Sequence, residues 1–307
     1  MIIMQSRSRQ GISVRSVVFL FLLLKICFSV PNVYGEEVAV VRAGDFKVYK
    51  EAQRGFESVC EVRTKEFKLG ASVVKDILRA KPELILAIGY DALEAVKDIK
   101  GIPVVFAMVL APHKVIPPGS PITGVDITLP AKHHLEKFKI FLPWARRIGV
   151  VYDPNETGYL FRKAESEAKK MGLVLVGRAV KSPEEVIPAI DSLRGEIDVL
   201  WMFPDVTVIN FESVEYMMLF SYENGIPVYA ISDAYVQNGA LMALNIDAYD
   251  IGRQAGEIAN EILAGKDAKE IPVVRARKGR LSVNLSAAEK FGLVIPYEVV
   301  KTAGKVY

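Results

Sequence analysis

Cysteine and histidine are scarce in this chain, at 2 and 3 copies in 307 residues. Cys27 falls in an N-terminal segment that reads as a removable export signal, so Cys60 is left alone and an intramolecular disulfide is excluded. Cys60 continues the spacing Phe46, Tyr49, Phe56, Val59, a helical apolar stripe, and is expected as a buried core thiol rather than a reactive one. Of His113, His133 and His134, only His133 with Glu136 shares a helical face with a second ligand type, and no third ligand is evident. No metal is expected. The phosphate-cradling patterns G-x-G-x-x-G and G-x-x-x-x-G-K-[ST] are missing, as is the nucleophile turn G-x-S-x-G; in "LAGKD" Asp267 stands where the hydroxyl would be. Neither a nucleotide cofactor nor an enzyme is indicated. No repeat of about 20 to 50 residues occurs, against a solenoid or propeller.

Charge of one sign is also lacking once the N-terminus is set aside. The chain carries 39 basic and 36 acidic residues, net +3, but four of the basic ones (Arg7, Arg9, Arg15, Lys25) and no acid lie in the first 35 residues. The remaining 272 residues hold 35 basic against 36 acidic side chains, net −1, which gives no bulk electrostatic case for nucleic acid or an anionic membrane. Those first residues have the three parts of a secretory signal: basic residues, the apolar run Val17 to Leu24, and a Pro31 break leading to Val33-Tyr34-Gly35, with the cut before Glu36. The run falls short of the about 20 apolar residues of a membrane helix and is interrupted by Lys25, although an uncleaved anchor is the alternative. An exported protein is expected, in the periplasm or on the outer face of the cytoplasmic membrane.

From Glu36 onward, short β-branched runs ("VAVVRA", "LILAIG", "IPVVFAMV", "RIGVVY", "LVLVGRAV", "DVLWMF", "IPVYAIS") alternate with amphipathic segments of helical length. Strands without polar alternation are buried on both faces, the mark of parallel sheets covered by helices, so the fold class is α/β. Asp91 with Glu94 reads as a capping box; Met171-Gly172, Asn224-Gly225 and Gly265 read as helix stops. Gly252-x-x-x-Gly256 reads as a flat patch where a helix packs closely. The Pro- and Gly-rich "APHKVIPPGSPITGVDITLP" interrupts the alternation and marks a lobe boundary near Val125. Two later extended stretches, "NGALMALNID" and "IPVVRARKGRLSVNL", indicate that the chain crosses between lobes more than once, as in a hinge.

In open parallel sheets, ligands bind beyond the carboxyl ends of the strands. The residues there are Tyr90-Asp91, Met108-Val109, Tyr152-Asp153-Pro154, Phe203-Pro204-Asp205 and Ser232-Asp233, and four of these five exits carry an Asp. A strand exit is also a helix entrance, where Asp is a favoured cap, which accounts for Asp91 and also suits Asp153 and Asp233. It accounts less well for Asp205, because the next helical stripe begins after Asn210, itself a good cap. Asp205 either faces a ligand or makes a local turn bond to Thr207.

Between about Pro82 and Pro296, the segments "PELILAIGYDALEAV", "RIGVVYDPNETG", "DVLWMFPDVTV", "GALMALNIDAYDIGRQAGEIANEILAG" and "SVNLSAAEKFGL", in this order, resemble the substrate-binding proteins of ABC transporters, in the branch that binds tryptophan and other aromatic amino acids. That resemblance implies a type I periplasmic-binding-protein fold: two Rossmann-like lobes joined by three crossovers, here residues 36–125 plus about 240–275 and residues 126–239 plus about 276–307. It implies a monomer that holds a small molecule between its lobes, catalyses nothing and presents its closed form to a membrane permease, or, in an alternative use of the fold, to a receptor kinase. The family's cleft loops map onto Phe203 to Thr207, which keeps Asp205 and Thr207 but has Val206 for Asn; onto Asp153 to Tyr159, which loses an Asn-Ser pair and gains Tyr159; and onto Leu110-Ala111-Pro112. The roles that follow are Asp205 on a ligand ammonium, Gly89 and Tyr90 offering main-chain N–H groups to a carboxylate, and Tyr90, Tyr152, Tyr159 and Phe203 as stacking faces, with Met108, Asp153, Ser232 and Asp233 also at the cleft. The ligand expected is amino-acid-like, or aromatic and cationic.

Overall fold

The computed structural model describes residues 37–307; the export-signal reading of residues 1–35 falls outside them. In chain order the strands are β1 Glu37–Arg42, β2 Arg63–Lys68, β3 Leu84–Ile88, β4 Val104–Val109, β5 Ile122–Asp126, β6 Arg147–Tyr152, β7 Val174–Ala179, β8 Val199–Trp201, β9 Val228–Ala230, β10 Met242–Ile246, β11 Val274–Arg275, β12 Gly279–Val283 and β13 Lys305–Val306. They form two sheets. The first has the order β11-β5-β4-β3-β1-β2 and is parallel throughout. The second has the order β13-β12-β10-β9-β8-β6-β7, with β12 antiparallel to β10.

Every residue of β3 and β4 is buried, as a strand covered by helices on both faces requires. β2, by contrast, is absent from the sequence reading, because "RTKEFK" is mostly charged. It sits at the sheet edge, where one side needs no strand partner and charge is tolerated. Gln53 and Arg42 hold its Glu66, donating to the carboxylate at 2.7 and 3.1 Å.

The chain passes between the sheets after β5, after β10 and between β11 and β12. The stretch from about 240, assigned from sequence to the first lobe, is corrected here: Met242–Ile246 pairs with β9 and β12 in the second sheet. Gly239, at φ 116°, turns the chain back into that sheet, and the crossing comes only at Asp247. Asp247 caps the helix Ala248–Leu263 by accepting from the Asp250 N–H at 3.1 Å. That helix packs on the helix Lys47–Glu57 of the first sheet. The approach is close enough that a Cβ on Gly252 would lie 1.8 Å from the Ala52 carbonyl oxygen, and one on Gly55 would lie 1.9 Å from that of Tyr249. Cys60, just beyond the helix Lys47–Glu57, is half-buried, and burial pushes its thiol pKa up.

The capping box at Asp91 does not form. The helix Tyr90–Val96 starts directly after Gly89, and Asp91 sits in its first turn without acting as a cap. Asn210, however, does cap the helix Phe211–Asn224, accepting from the Ser213 N–H at 2.9 Å.

Candidate functional site

The exits of β8 and β9 open onto a cavity of about 630 Å³, which the helix Lys47–Glu57, Leu110 beyond β4 and the segments that cross between the sheets also line. Leu110 is carried there by an irregular backbone. The register between β4 and β5 shifts between Phe106 and Val109, and both Met108 and Ala111 have positive φ, 60° and 49°. A bulge re-aims the residue that follows it, and left-handed conformations at residues with side chains persist only where the surrounding structure enforces them.

Aromatic residues make one wall. Trp201 and Phe203 line the cavity edge-on to each other, with ring centroids 4.8 Å apart. His134 also lines it, 5.1 Å from Trp201, and Phe138 and fully buried Tyr229 pack behind. The His134 Nδ1 lies 2.9 Å from the Tyr229 hydroxyl. Burial, and then the neighbouring His133, push the His134 pKa down to about 3, so the ring is neutral at physiological pH. Between the ordinary histidine pKa of about 6.5 and that lowered value, the unfolded chain binds a proton that the folded chain refuses. Stability is therefore expected to fall as pH drops through this window, by up to about 1.4 kcal/mol per pH unit from this group. Urea titrations of the protein and of His134→Gln at pH 7 and pH 5 measure it: the replacement should narrow the loss between the two pH values.

The charged lining is unbalanced, with five basic residues (Lys47, Lys163, Arg275, Arg280, Lys305) against the acids Glu51 and Asp233. Arg280 is spent on Asp247 through bonds of 3.0 and 2.9 Å, and Lys305 is in contact with Asp233. Lys47 stands 4.0 Å from Glu51. Among the described residues, Arg275 and Lys163 have no carboxylate within ion-pair distance. Thr128, also in the lining, carries a buried hydroxyl without a hydrogen-bond partner.

Of the residues singled out from sequence, Phe203, Ser232 and Asp233 line this cavity. Asp205, expected to pair with a ligand ammonium, is not in this lining. It is buried, and both carboxylate oxygens are occupied: Oδ2 accepts from the Asp153 N–H at 2.8 Å and from the Thr157 hydroxyl, and Oδ1 accepts from the N–H groups of Thr207 at 3.0 Å and Val208 at 3.3 Å. The local turn bond to Thr207 is thus present. Asp153 is likewise occupied, accepting from the Asn155 N–H and, at 2.9 Å, from the Thr207 hydroxyl. The Gly89 N–H donates to the Ala107 carbonyl at 2.9 Å within the first sheet, so it is not free to meet a carboxylate.

Tyr90 is half exposed and, like buried Met108, outside the cavity lining. Tyr152 stacks on Phe161, with centroids 4.3 Å apart and planes 7° from parallel, instead of offering that face to a ligand. Tyr159 meets His113 edge-on at 5.0 Å, beside an ion pair of 2.7 Å between Lys114 and Glu156. Its hydroxyl is buried without a partner, and burial together with the Asp126 charge pushes its pKa up to about 12, against the opposing effect of Arg275. Sequence reasoning missed His134, Trp201, Arg275 and Lys305. The signal available for Arg275 was its place in the extended crossing stretch; Lys305 had none.

A family model described as ABC transporter substrate binding protein matches residues 61–307. A tyrosine-binding protein of Clostridioides difficile (strain R20291) is 30% identical over 222 residues, which span 69% of this chain and 64% of that protein; the chain thus matches less than two thirds of its relative's length. Among solved structures, an ABC domain from Streptococcus pneumoniae in complex with L-Trp is 22% identical, with a TM-score of 0.62, covering 89% of this chain and 100% of that one. The ligand-free, open structure of a substrate binding protein with adhesive properties from Clostridium difficile is 24% identical, with a TM-score of 0.72, covering 88% and 99%. The fold is that of type I periplasmic binding proteins.

Proposed function

Because the chain belongs to the ABC transporter substrate-binding protein family, we propose that it captures a small amino-acid-class ligand, with an aromatic or apolar body and a carboxylate, between its two sheets. The observation that carries this reading is the cavity itself, in which the aromatic wall of Trp201 and Phe203 lies with unpaired Arg275 in one space. A ring held against Trp201 gains from burial and from edge-on or offset contact, and a carboxylate that reaches Arg275 gains a charge-assisted hydrogen bond. The tyrosine-binding relative and the L-Trp-bound neighbour support the aromatic class.

In this reading the protein works outside the cytoplasm, carries out no reaction, and passes its loaded form to a permease. Binding energy is then spent on population, since a ligand that touches both lobes favours the closed arrangement by its differential affinity. The lobes proposed are residues 37–126 with 248–276, and residues 127–247 with 277–307.

Calorimetric titration with L-tyrosine, L-tryptophan, L-phenylalanine and their aryl-carboxylate counterparts tests this. At least one should bind, and Arg275→Ala should weaken it by roughly 1.5–3 kcal/mol, the range for a hydrogen bond to a charged group. Unchanged affinity in that variant would remove Arg275 from the site.

A further inference from the structure

An amino acid brings two charges, and Arg275 answers only its carboxylate. Two acids, Glu51 and Asp233, line the same cavity and could meet its ammonium. They are not equally available. The Asp233 carboxylate is already in contact with the Lys305 ammonium, which β13 carries to it through the pairing Ser282↔Lys305. Among the described residues, the Glu51 carboxylate accepts no hydrogen bond, and its one ion-pair neighbour is Lys47, 4.0 Å away. That lysine side chain is 88% exposed and stands one turn before the glutamate, the weaker order for such a pair on a helix, so water screens it and holds much of its charge. Arg280, which also lines the cavity and feels the charge of Glu51, has its guanidinium bonded to Asp247 at 3.0 and 2.9 Å. Glu51 is thus the lining acid whose acceptor capacity is unfilled among the described residues.

The helix Lys47–Glu57 fixes where that capacity lies. Lys47, Val48 and Glu51 turn one face to the cavity, while Ala52, Gly55 and Phe56 are buried on the other. Gly55, one turn beyond Glu51, sits so close to the helix Ala248–Leu263 that a Cβ on it would lie 1.9 Å from the Tyr249 carbonyl oxygen. Backbone contact of this kind leaves the helix little room to roll, so Glu51 is presented from a rigid element and moves by its own side-chain torsions alone. An ammonium placed against it exchanges water for a charge-assisted hydrogen bond, in a space whose aromatic wall lowers the local dielectric and strengthens that bond.

We propose that Glu51 receives the α-ammonium of the ligand and so makes this cleft select amino acids with a free ammonium over carboxylates of the same body that lack it. The proposal rests on the reading of this cavity as an amino-acid-class site with Arg275 at the carboxylate, and adds the residue that reads the second charge.

Matched pairs that differ only in the ammonium test it: L-phenylalanine against 3-phenylpropanoate, and L-tyrosine against 3-(4-hydroxyphenyl)propanoate, titrated calorimetrically into the full-length protein. The amino acids should bind at least about ten-fold tighter, and Glu51→Gln should remove most of that preference. Glu51→Asp, which keeps the charge but withdraws it by one methylene, should also reduce it, as a direct contact requires and a field felt at a distance does not. Asp233→Asn should leave the ratio where it was. The Glu51 carboxylate makes no hydrogen bond among the described residues, so both Glu51 variants should keep the parent's urea midpoint. Equal binding within a pair overturns the proposal, and so does a preference that survives Glu51→Gln, that Glu51→Asp keeps in full, or that Asp233→Asn removes. In each of those cases, weakening of both members of a pair by Arg275→Ala leaves the amino-acid-class reading of the cavity standing. If no member of either pair binds, the cavity is not the ligand site and both readings fall together.

Discussion

Asp205→Ala is expected to cost about 3–5 kcal/mol of folding stability, the range for leaving buried polar groups without their charged partner. The carboxylate is 1% exposed and accepts from four donors. Two come from the loop after β6 (the Asp153 N–H and the Thr157 hydroxyl) and two from its own loop (the N–H groups of Thr207 and Val208). Thr207 returns a bond to Asp153, so the two strand exits are tied in both directions. Alanine leaves these buried donors without their acceptor, each at about 1–3 kcal/mol, with partial relaxation reducing the sum. Asp205→Asn should cost less but remain clearly destabilising, because an amide keeps one acceptor oxygen and turns an NH₂ toward main-chain N–H groups that cannot accept, the Thr157 hydroxyl being the one partner able to reverse its role. Urea denaturation at pH 7 reads the effect as a lower midpoint at unchanged slope. A midpoint shift worth less than about 0.5 kcal/mol, the scale of an ordinary surface substitution, would mean that the loops re-form their bonds elsewhere.

This changes what the acid at the β8 exit means. An unexplained charge after an apolar strand has two physical uses, to meet a ligand or to gather main-chain N–H groups that the turning backbone leaves unpaired. Both put the same letter at the same place, and only the partners, 52 residues away in the case of Asp153 and Asp205, separate them. The apolar runs of β3, β4, β6 and β8 were legible because burial on both faces dictates composition directly. The Asn210 cap was legible because its partner lies three residues on. β2 was not, since an edge strand can be made of charges, and Asp91 misled, since a short helix can start from Gly89 without any side-chain cap. In the cavity lining, the positions of Phe203, Ser232 and Asp233 followed from their place at strand carboxyl ends. Arg275, His134 and Lys305 could not follow from it. They reach the cavity from a crossing segment, a helix face and the terminal strand, elements whose position depends on how two sheets are joined rather than on any local pattern.

The same joint sets the second large effect. Gly252→Ala should destabilise the protein by about 3 kcal/mol or more, at or beyond the upper end of ordinary overpacking. On an isolated helix the change has the opposite sign, since alanine is favoured over glycine by about 1 kcal/mol in a helix interior. Here a Cβ would lie 1.8 Å from the Ala52 carbonyl oxygen, 2.7 Å from its carbon and 2.9 Å from the Phe56 nitrogen. All three are backbone atoms, so no rotamer change relieves the clash and the helices Lys47–Glu57 and Ala248–Leu263 must move apart. Fully buried Ala52, Phe56 and Ala255 lie on these same two helices and would lose packing as they separate. Gly55 faces the same limit from the other side, which makes the contact reciprocal and leaves no direction in which a small slide helps both. Gly70→Ala is the control, because a Cβ there meets nothing within 4 Å and should shift stability by no more than about 0.5 kcal/mol. If Gly252→Ala and Gly70→Ala unfold at the same urea concentration, the helix pair is loose in solution. If they differ as expected, the segment that enters the first sheet's layer after Asp247 is held by backbone contact, and the glycine is what permits it.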